Sequence, residues 1–195
     1  DSNADWLCIT FIYFLFLQYF SNSFFKIDTM TTLLNQKAFL ARKAQIDFNT
    51  AFIAIDVNNF KNINDTYGHS VGDECLGKIG EAIYTVFSKD GFCYRSGGDE
   101  FTIVLKPGVL ERMKAQKGNR FKECIQELMR ALDTEIEFQA KLDSHLKDGV
   151  SQGFEVYLLM ENFSRREDYI SVDEALKHAD DEMYEAKKRR LEVQS

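Results

Sequence analysis

Three carboxylates stand out as residues that could do chemistry together. Asp99 and Glu100 follow Gly97-Gly98 directly, between the runs Phe92-Cys93-Tyr94 and Phe101-Thr102-Ile103-Val104-Leu105. These flanking runs are aromatic and β-branched and of strand length, so the stretch predicts a β-hairpin. Its two glycines would supply the positive φ values of a tight turn. Neighbouring strand residues point to opposite faces, so at most one of Asp99 and Glu100 can face a given site squarely. Asp56 interrupts the apolar run Phe52-Ile53-Ala54-Ile55-Asp56-Val57 near its end. An unpaired carboxylate buried there is costly, so it calls for a metal or a donor. Carboxylates on adjacent strands can hold two Mg²⁺ ions, and such ions clamp nucleotide phosphates for in-line displacement. Late lysines complete the set. Each piece alone has a plainer reading: a solvated turn, a satisfied structural aspartate, and a basic run at Lys187-Lys188-Arg189-Arg190 that suits a helix C-terminus.

The elements that must carry these residues follow from periodicity. Asn35 can cap a helix running to about Ile46, and the Asp56 run reads as a buried strand. Asn58 to Asp73 is dense in polar and glycine residues that suit turns and caps. Leu76, Ile79, Gly80, Ile83, Val86 and Phe87 recur at helical spacing and lead into the hairpin. A further apolar stripe spans Phe121 to Leu132, and after a charged connector Val150–Leu159 reads as another strand. Ser171 and Glu174 have capping-box spacing, opening a helix with Val172, Ala175, Leu176, Ala179, Met183 and Ala186 as its buried stripe. Strands interleaved with helices predict an α/β-type sandwich.

Composition limits the alternatives. A chain of 195 residues with 45% hydrophobic residues suits one domain plus an appendage. A net charge of -7 and a pI near 5.1 argue against nucleic acid as a partner. Cys8, Cys75, Cys93 and Cys124 are scattered, which fits neither a zinc site nor a disulfide framework and suits a reducing, cytoplasmic setting. Residues 1–4 read as the remnant of an expression tag. Residues 5–25 form an apolar segment, the end of a transmembrane helix or a linker helix that packs or pairs with a second copy, and 26–195 the folded domain. Trp6 to Phe20 is apolar almost throughout; as a helix it spans roughly 22 Å, short of a ~30 Å hydrocarbon core. Lys26, Lys37, Arg42 and Lys43 follow it as a cytoplasmic flank would.

Several motifs, in order, resemble one family. Gly97-Gly98-Asp99-Glu100-Phe101, with Arg95 before it, is the signature of the GGDEF-domain diguanylate cyclases. Asp56-Val57-Asn58-Asn59-Phe60-Lys61-Asn62-Ile63-Asn64-Asp65, Tyr67-Gly68-His69 and Gly72-Asp73 are similar to that family's D-x-D-x-F-K-x-I-N-D-x-x-G-H-x-x-G-D run. Asp28 through Phe39 resembles its entry motif, and Ala179–Lys187 its closing helix. The resemblance covers about Asp28 to Arg190. It implies a central, mostly antiparallel five-stranded sheet wrapped by helices, like a polymerase palm. It implies Asp56, the Val57 carbonyl, Asp99 and Glu100 as ligands of Mg²⁺ (or Mn²⁺), two ions per half-site, with Glu100 as ligand or base. Asn64 and Asp73 would read the guanine edge. Phe60, Lys61, His69, Gly97, Gly98 and Lys187 would complete the substrate site, the lysines neutralising phosphate. Such enzymes join two GTP into cyclic di-GMP across a homodimer, each 3′-hydroxyl attacking the partner's α-phosphate. The whole protein would then be a bacterial signalling enzyme, with a sensor or membrane region preceding a cytoplasmic catalytic domain.

The departures from the pattern are local. Met30, Thr32 and Gln36 stand where Leu, Gly and Arg are usual, and Asn58 replaces a frequent aspartate. Arg190 and Leu191 stand where Gly and Arg are usual, so one phosphate contact is lost or passes to Arg189 or Arg190. The product-inhibition motif R-x-x-D would fall on Ser88-Lys89-Asp90-Gly91 and is absent. The alternative reading is a catalytically weak module that binds GTP or a partner protein and regulates; a cyclase of mixed dinucleotides is disfavoured by Asp73.

Overall fold

A computed structural model describes residues 2–24, 26–159 and 170–194. The order of elements is helix α1 (Ser2–Phe24), α2 (Gln36–Lys43), strand β1 (Thr50–Val57), α3 (Phe60–Tyr67) and α4 (His69–Phe87). Then come β2 (Gly91–Arg95), β3 (Glu100–Leu105), α5 (Val109–Lys117), α6 (Lys122–Leu142), β4 (Val150–Tyr157) and α7 (Val172–Gln194). Strands pair in the order β2-β3-β1-β4, every pair antiparallel.

Alternation along the strands sends side chains to two helical layers. Ile53, Ile55, Phe101, Ile103 and Leu105 pack with Leu76, Ile79, Ile83 and Phe87 of α4 and with Ile125, Leu132 and Ile136 of α6. The opposite register, Phe52, Tyr94, Val104 and Tyr157, packs with Ala38 of α2 and Ala175 and Ala179 of α7. Asp56 belongs to this second register, which brings it under α7.

The sheet has four strands among the described residues, where five were expected. Its β4 edge is closed by side chains: Glu182 accepts from the Phe154 amide, and Glu155 from that of Val156 (2.6 and 2.8 Å). Polar Asn58–Asp73, expected as turns, instead contains α3, because Phe60 and Ile63 pack on the core. The connector after Leu132 continues as helix to Leu142. Asn35 caps α2 through the Ala38 amide, and Ser171 and Glu174 form the reciprocal capping box. The apolar N-terminal stretch is helical, and no described helix is long and apolar enough to cross a membrane.

The entry turn closes around Asp28, whose carboxylate accepts from the Thr31 amide and hydroxyl (both 2.9 Å) and pairs with Arg95. Thr32 in this turn has φ +58°, a left-handed conformation that a β-branched residue adopts at a cost. The glycine usual there would relieve it. Thr32→Gly is expected to stabilise the chain by about 1 kcal/mol, raising Tm by roughly 3 °C in a thermal melt, after the extra entropy of an unfolded glycine is subtracted.

Candidate active site

Register brings the first group together. Asp56 on β1 lies directly opposite Glu100 on β3, so the two carboxylates share the face that α7 covers. Asp99 precedes the strand and escapes its alternation. It lies in the turn, where its carbonyl accepts from the Val57 amide (3.1 Å), tying the hairpin to the end of β1. The turn is a four-residue loop, Ser96–Asp99, in which neither Gly97 nor Gly98 has a positive φ. Positive φ is therefore not what these glycines provide. A Cβ on Gly97 would lie 2.6 Å from Glu100 Oε2, so Gly97 leaves the space in which that carboxylate rests. The Gly98 carbonyl accepts from Arg95 Nε and Nη2 (3.0 and 2.6 Å), and Arg95 Nη1 reaches Asp28. One guanidinium thus fixes both the hairpin tip and the entry turn.

Helix α7 supplies the counter-charge. Lys187 donates from its ammonium to Asp56 Oδ1. Burial pushes Asp56 upward from the usual carboxylate range, Lys187 opposes it, and the charges of Asp99 and Asp180 add to it. Burial also raises Glu100, together with Asp180, Asp99 and Asp56. Asp180 was not singled out from the sequence. It lies seven residues before Lys187, two helical turns along one face, and that spacing was the available signal. Asp180, Glu100, Lys43, Lys177 and Ser96 line a cavity of 440 Å³ between α2, the sheet and α7.

A second group forms where α3 meets α4 through Gly68 (φ +89°). Asn64 presses against Gly72, where a Cβ would come within 2.0 Å of Asn64 Oδ1. That oxygen is buried and has no hydrogen-bond partner among the described residues. Asp73 follows Gly72 and is exposed, as are His69 and Lys61; Phe60 is half-buried at the start of α3. Asn58 is buried and structural: it donates to the Asp148 carbonyl (2.8 Å) and accepts from Ser151 (2.7 Å). An aspartate there could not donate to Asp148. Arg190 donates to the Asp148 carbonyl (3.0 Å), away from the carboxylate group. The Ser88–Gly91 stretch is engaged internally, Lys106 bonding the Ser88 and Lys89 carbonyls and Arg112 pairing with Asp90.

The sequence profile described as diguanylate cyclase, GGDEF domain, matches residues 25–192. The chain belongs to the GGDEF-domain family. Diguanylate cyclase DosC of Escherichia coli K12 is 40% identical over 86 residues, covering 40% of this chain and 19% of DosC. Probable diguanylate cyclase DgcJ of the same strain is 32% identical over 156 residues, covering 76% of this chain and 28% of DgcJ. The chain therefore spans less than a third of these relatives. The coiled-coil and GGDEF domain of DgcB from Caulobacter crescentus, solved with cyclic di-GMP, superposes with a TM-score of 0.66 at 18% identity. That match covers 96% of this chain and 95% of DgcB's. SiaD of Pseudomonas aeruginosa, solved with its activator SiaC, gives 0.62 at 17% identity over 94% of this chain and 67% of SiaD's. The GGDEF fold is thus shared with an antiparallel sheet flanked by helices.

The GGDEF donor set suits a hard divalent cation in kind, since its donors are oxygens, Asp56 lies opposite Glu100, and Gly97 keeps space for the Glu100 carboxylate. Among the described residues no three acidic, His or Cys side chains already stand as a metal cluster; the cation Asp56 holds is Lys187. The raised Glu100 predicts a pH effect. Between its unfolded and folded pKa the native chain holds the extra proton, so stability falls as pH rises through that window. Glu100→Gln is expected to raise Tm of the metal-free protein at neutral pH, and the gain should vanish below the ordinary carboxylate range.

Proposed function

We propose that this domain is a diguanylate cyclase that condenses two GTP into cyclic di-GMP and two pyrophosphates. The observation that carries this reading is the Asp56–Glu100 pair across β1 and β3, with Asp99 tied to the strand end and Lys187 supplying positive charge. Family membership supports it, as do relatives named diguanylate cyclases. Asp56, Asp99, Glu100 and the Val57 carbonyl would hold Mg²⁺ or Mn²⁺, two ions per half-site, and such ions would supply neutralisation of phosphate charge and acidification of the attacking hydroxyl.

The chain's own residues orient the substrate. Asn64 pairs with the guanine edge through its amide while Asp73 accepts from the base N–H groups. Phe60 and His69 border this base site. Gly97 and Gly98 let the backbone approach the nucleotide, and Lys61 and Lys187 meet the phosphates. Each 3′-hydroxyl gives up its proton, to Glu100 or to solvent, as its oxygen bonds to the partner's α-phosphorus, the bond from that phosphorus to the α–β bridging oxygen breaks and pyrophosphate leaves. Two copies must face each other for this, so the active form is a homodimer, and catalysis is positioning and charge stabilisation. As part of a longer protein, the domain would answer to a preceding sensor or membrane region.

One observation favours the weaker alternative, a regulatory module that binds GTP with little turnover. Leu191 brings no charge, and Arg190 Nη1 donates to the Asp148 carbonyl, away from the carboxylate group. Product formation decides between them. Purified chain with GTP and Mg²⁺ is expected to yield cyclic di-GMP by chromatography, and Asp99→Ala with Glu100→Ala to lower the rate by at least about a hundredfold. GTP binding without product at high protein concentration would select the regulatory module.

A further inference from the structure

Among the described residues two buried side-chain oxygens lack any hydrogen-bond partner. One is Asn64 Oδ1 in the site above. The other is Gln152 Oε1 on β4, at the sheet edge opposite β2. Gln152 is 9% exposed, and its amide nitrogen donates to the Met129 carbonyl and to Asp133 Oδ1 (both 3.0 Å). Turning the amide over would set oxygen against two acceptors, so the orphaned acceptor is fixed in place.

Gln152 lines a cavity of 370 Å³ between α6, β4 and the end of α7, within the usual size of small-molecule sites. Asp133, Arg130 and Arg190 line it too. Arg130 is exposed and makes no ion pair among the described residues, and Arg190 Nη2 stays 3.9 Å from Asp133. An amide oxygen and a carboxylate ask for adjacent N–H donors, whereas two guanidiniums suit a phosphate. A guanine nucleotide offers both, because its N1–H and N2–H lie side by side on one edge.

We propose that this cavity is a second guanine-nucleotide site, with Gln152 and Asp133 on the base edge and Arg130 and Arg190 on the phosphate. The amide–carboxylate pair repeats the pairing of Asn64 with Asp73, and the choice of guanine rests on that reading of the α3–α4 site. Burial raises Asp133, with Arg190 and Gln152 opposing, so this carboxylate gains from further donors. The site lies on the far side of the sheet from Ser88–Gly91 and is independent of the missing R-x-x-D motif.

The test is an amide-resolved NMR titration of the full chain with GMP, guanosine, AMP and inorganic phosphate. GMP is expected to shift both the Gln152 side-chain amide and the Met129–Asp133 backbone, whereas AMP and phosphate, which lack the paired N–H edge, are expected to leave the Gln152 amide unmoved. Arg130→Ala, a surface change that should leave the fold intact, should weaken GMP here about tenfold without weakening guanosine; Asp133→Asn should weaken both. Shifts confined to α3–α4 at millimolar GMP, or equal shifts with AMP or phosphate, would overturn the proposal. Shifts at Gln152 with none at Asn64 would uphold this site and overturn the guanine role of Asn64 and Asp73.

Discussion

Gly153 has no side chain, and α7 lies directly in the space this leaves. A Cβ there would come 2.2 Å from the Met183 nitrogen and 2.4 Å from the Ala179 carbonyl, both backbone atoms that no rotamer can move. Overpacking at such a contact costs about 1–3 kcal/mol or displaces the helix. The crossing sets the height of α7 over the sheet, and with it the reach of everything α7 carries. Four residues beyond Met183 is Lys187, which meets Asp56; one residue beyond Ala179 is Asp180, which faces Glu100 across the cavity. Glu182, between them, closes the edge of β4.

The same arrangement explains the electrostatics. Four carboxylates gather where the sheet ends, and the one cation joined to Asp56 is Lys187. Burial and mutual repulsion raise Asp56 and Glu100 together, so the site stores an unfavourable charge that a divalent cation would relieve. On the proposed function Lys187, joined to Asp56 here, would be released to substrate phosphate once a metal entered. The α3–α4 group is mechanically separate, packed at Gly72, but α3 begins three residues after β1 ends. One strand end therefore leads into both groups of residues.

Much of this was legible in the sequence, and what was missed has physical causes. The hairpin, β1, α4 and α7 were readable because their apolar periods are long and their caps conventional, Ser171 with Glu174 above all. Helix α3 was hidden because its residues are turn formers by local preference, and only the packing of Phe60 and Ile63 makes them helical. The role assigned to Gly97 was wrong in kind, since a turn residue was credited with backbone freedom when its purpose is space for Glu100. Asp180 lay inside a motif that was quoted, and only the approach of α7 to the sheet gives it a part. The cavity at Gln152 and Asp133 joins residues 19 apart in sequence on two elements, a pairing no local pattern announces.

Lys187 holds Asp56, the carboxylate proposed as a metal ligand. Mn²⁺ binding, followed by electron paramagnetic resonance without nucleotide, tests it directly. With Lys187→Met the competing ammonium is gone, and Mn²⁺ affinity is expected to rise about tenfold, the order of one charged hydrogen bond. Unchanged or weaker Mn²⁺ binding in that variant would contradict the account.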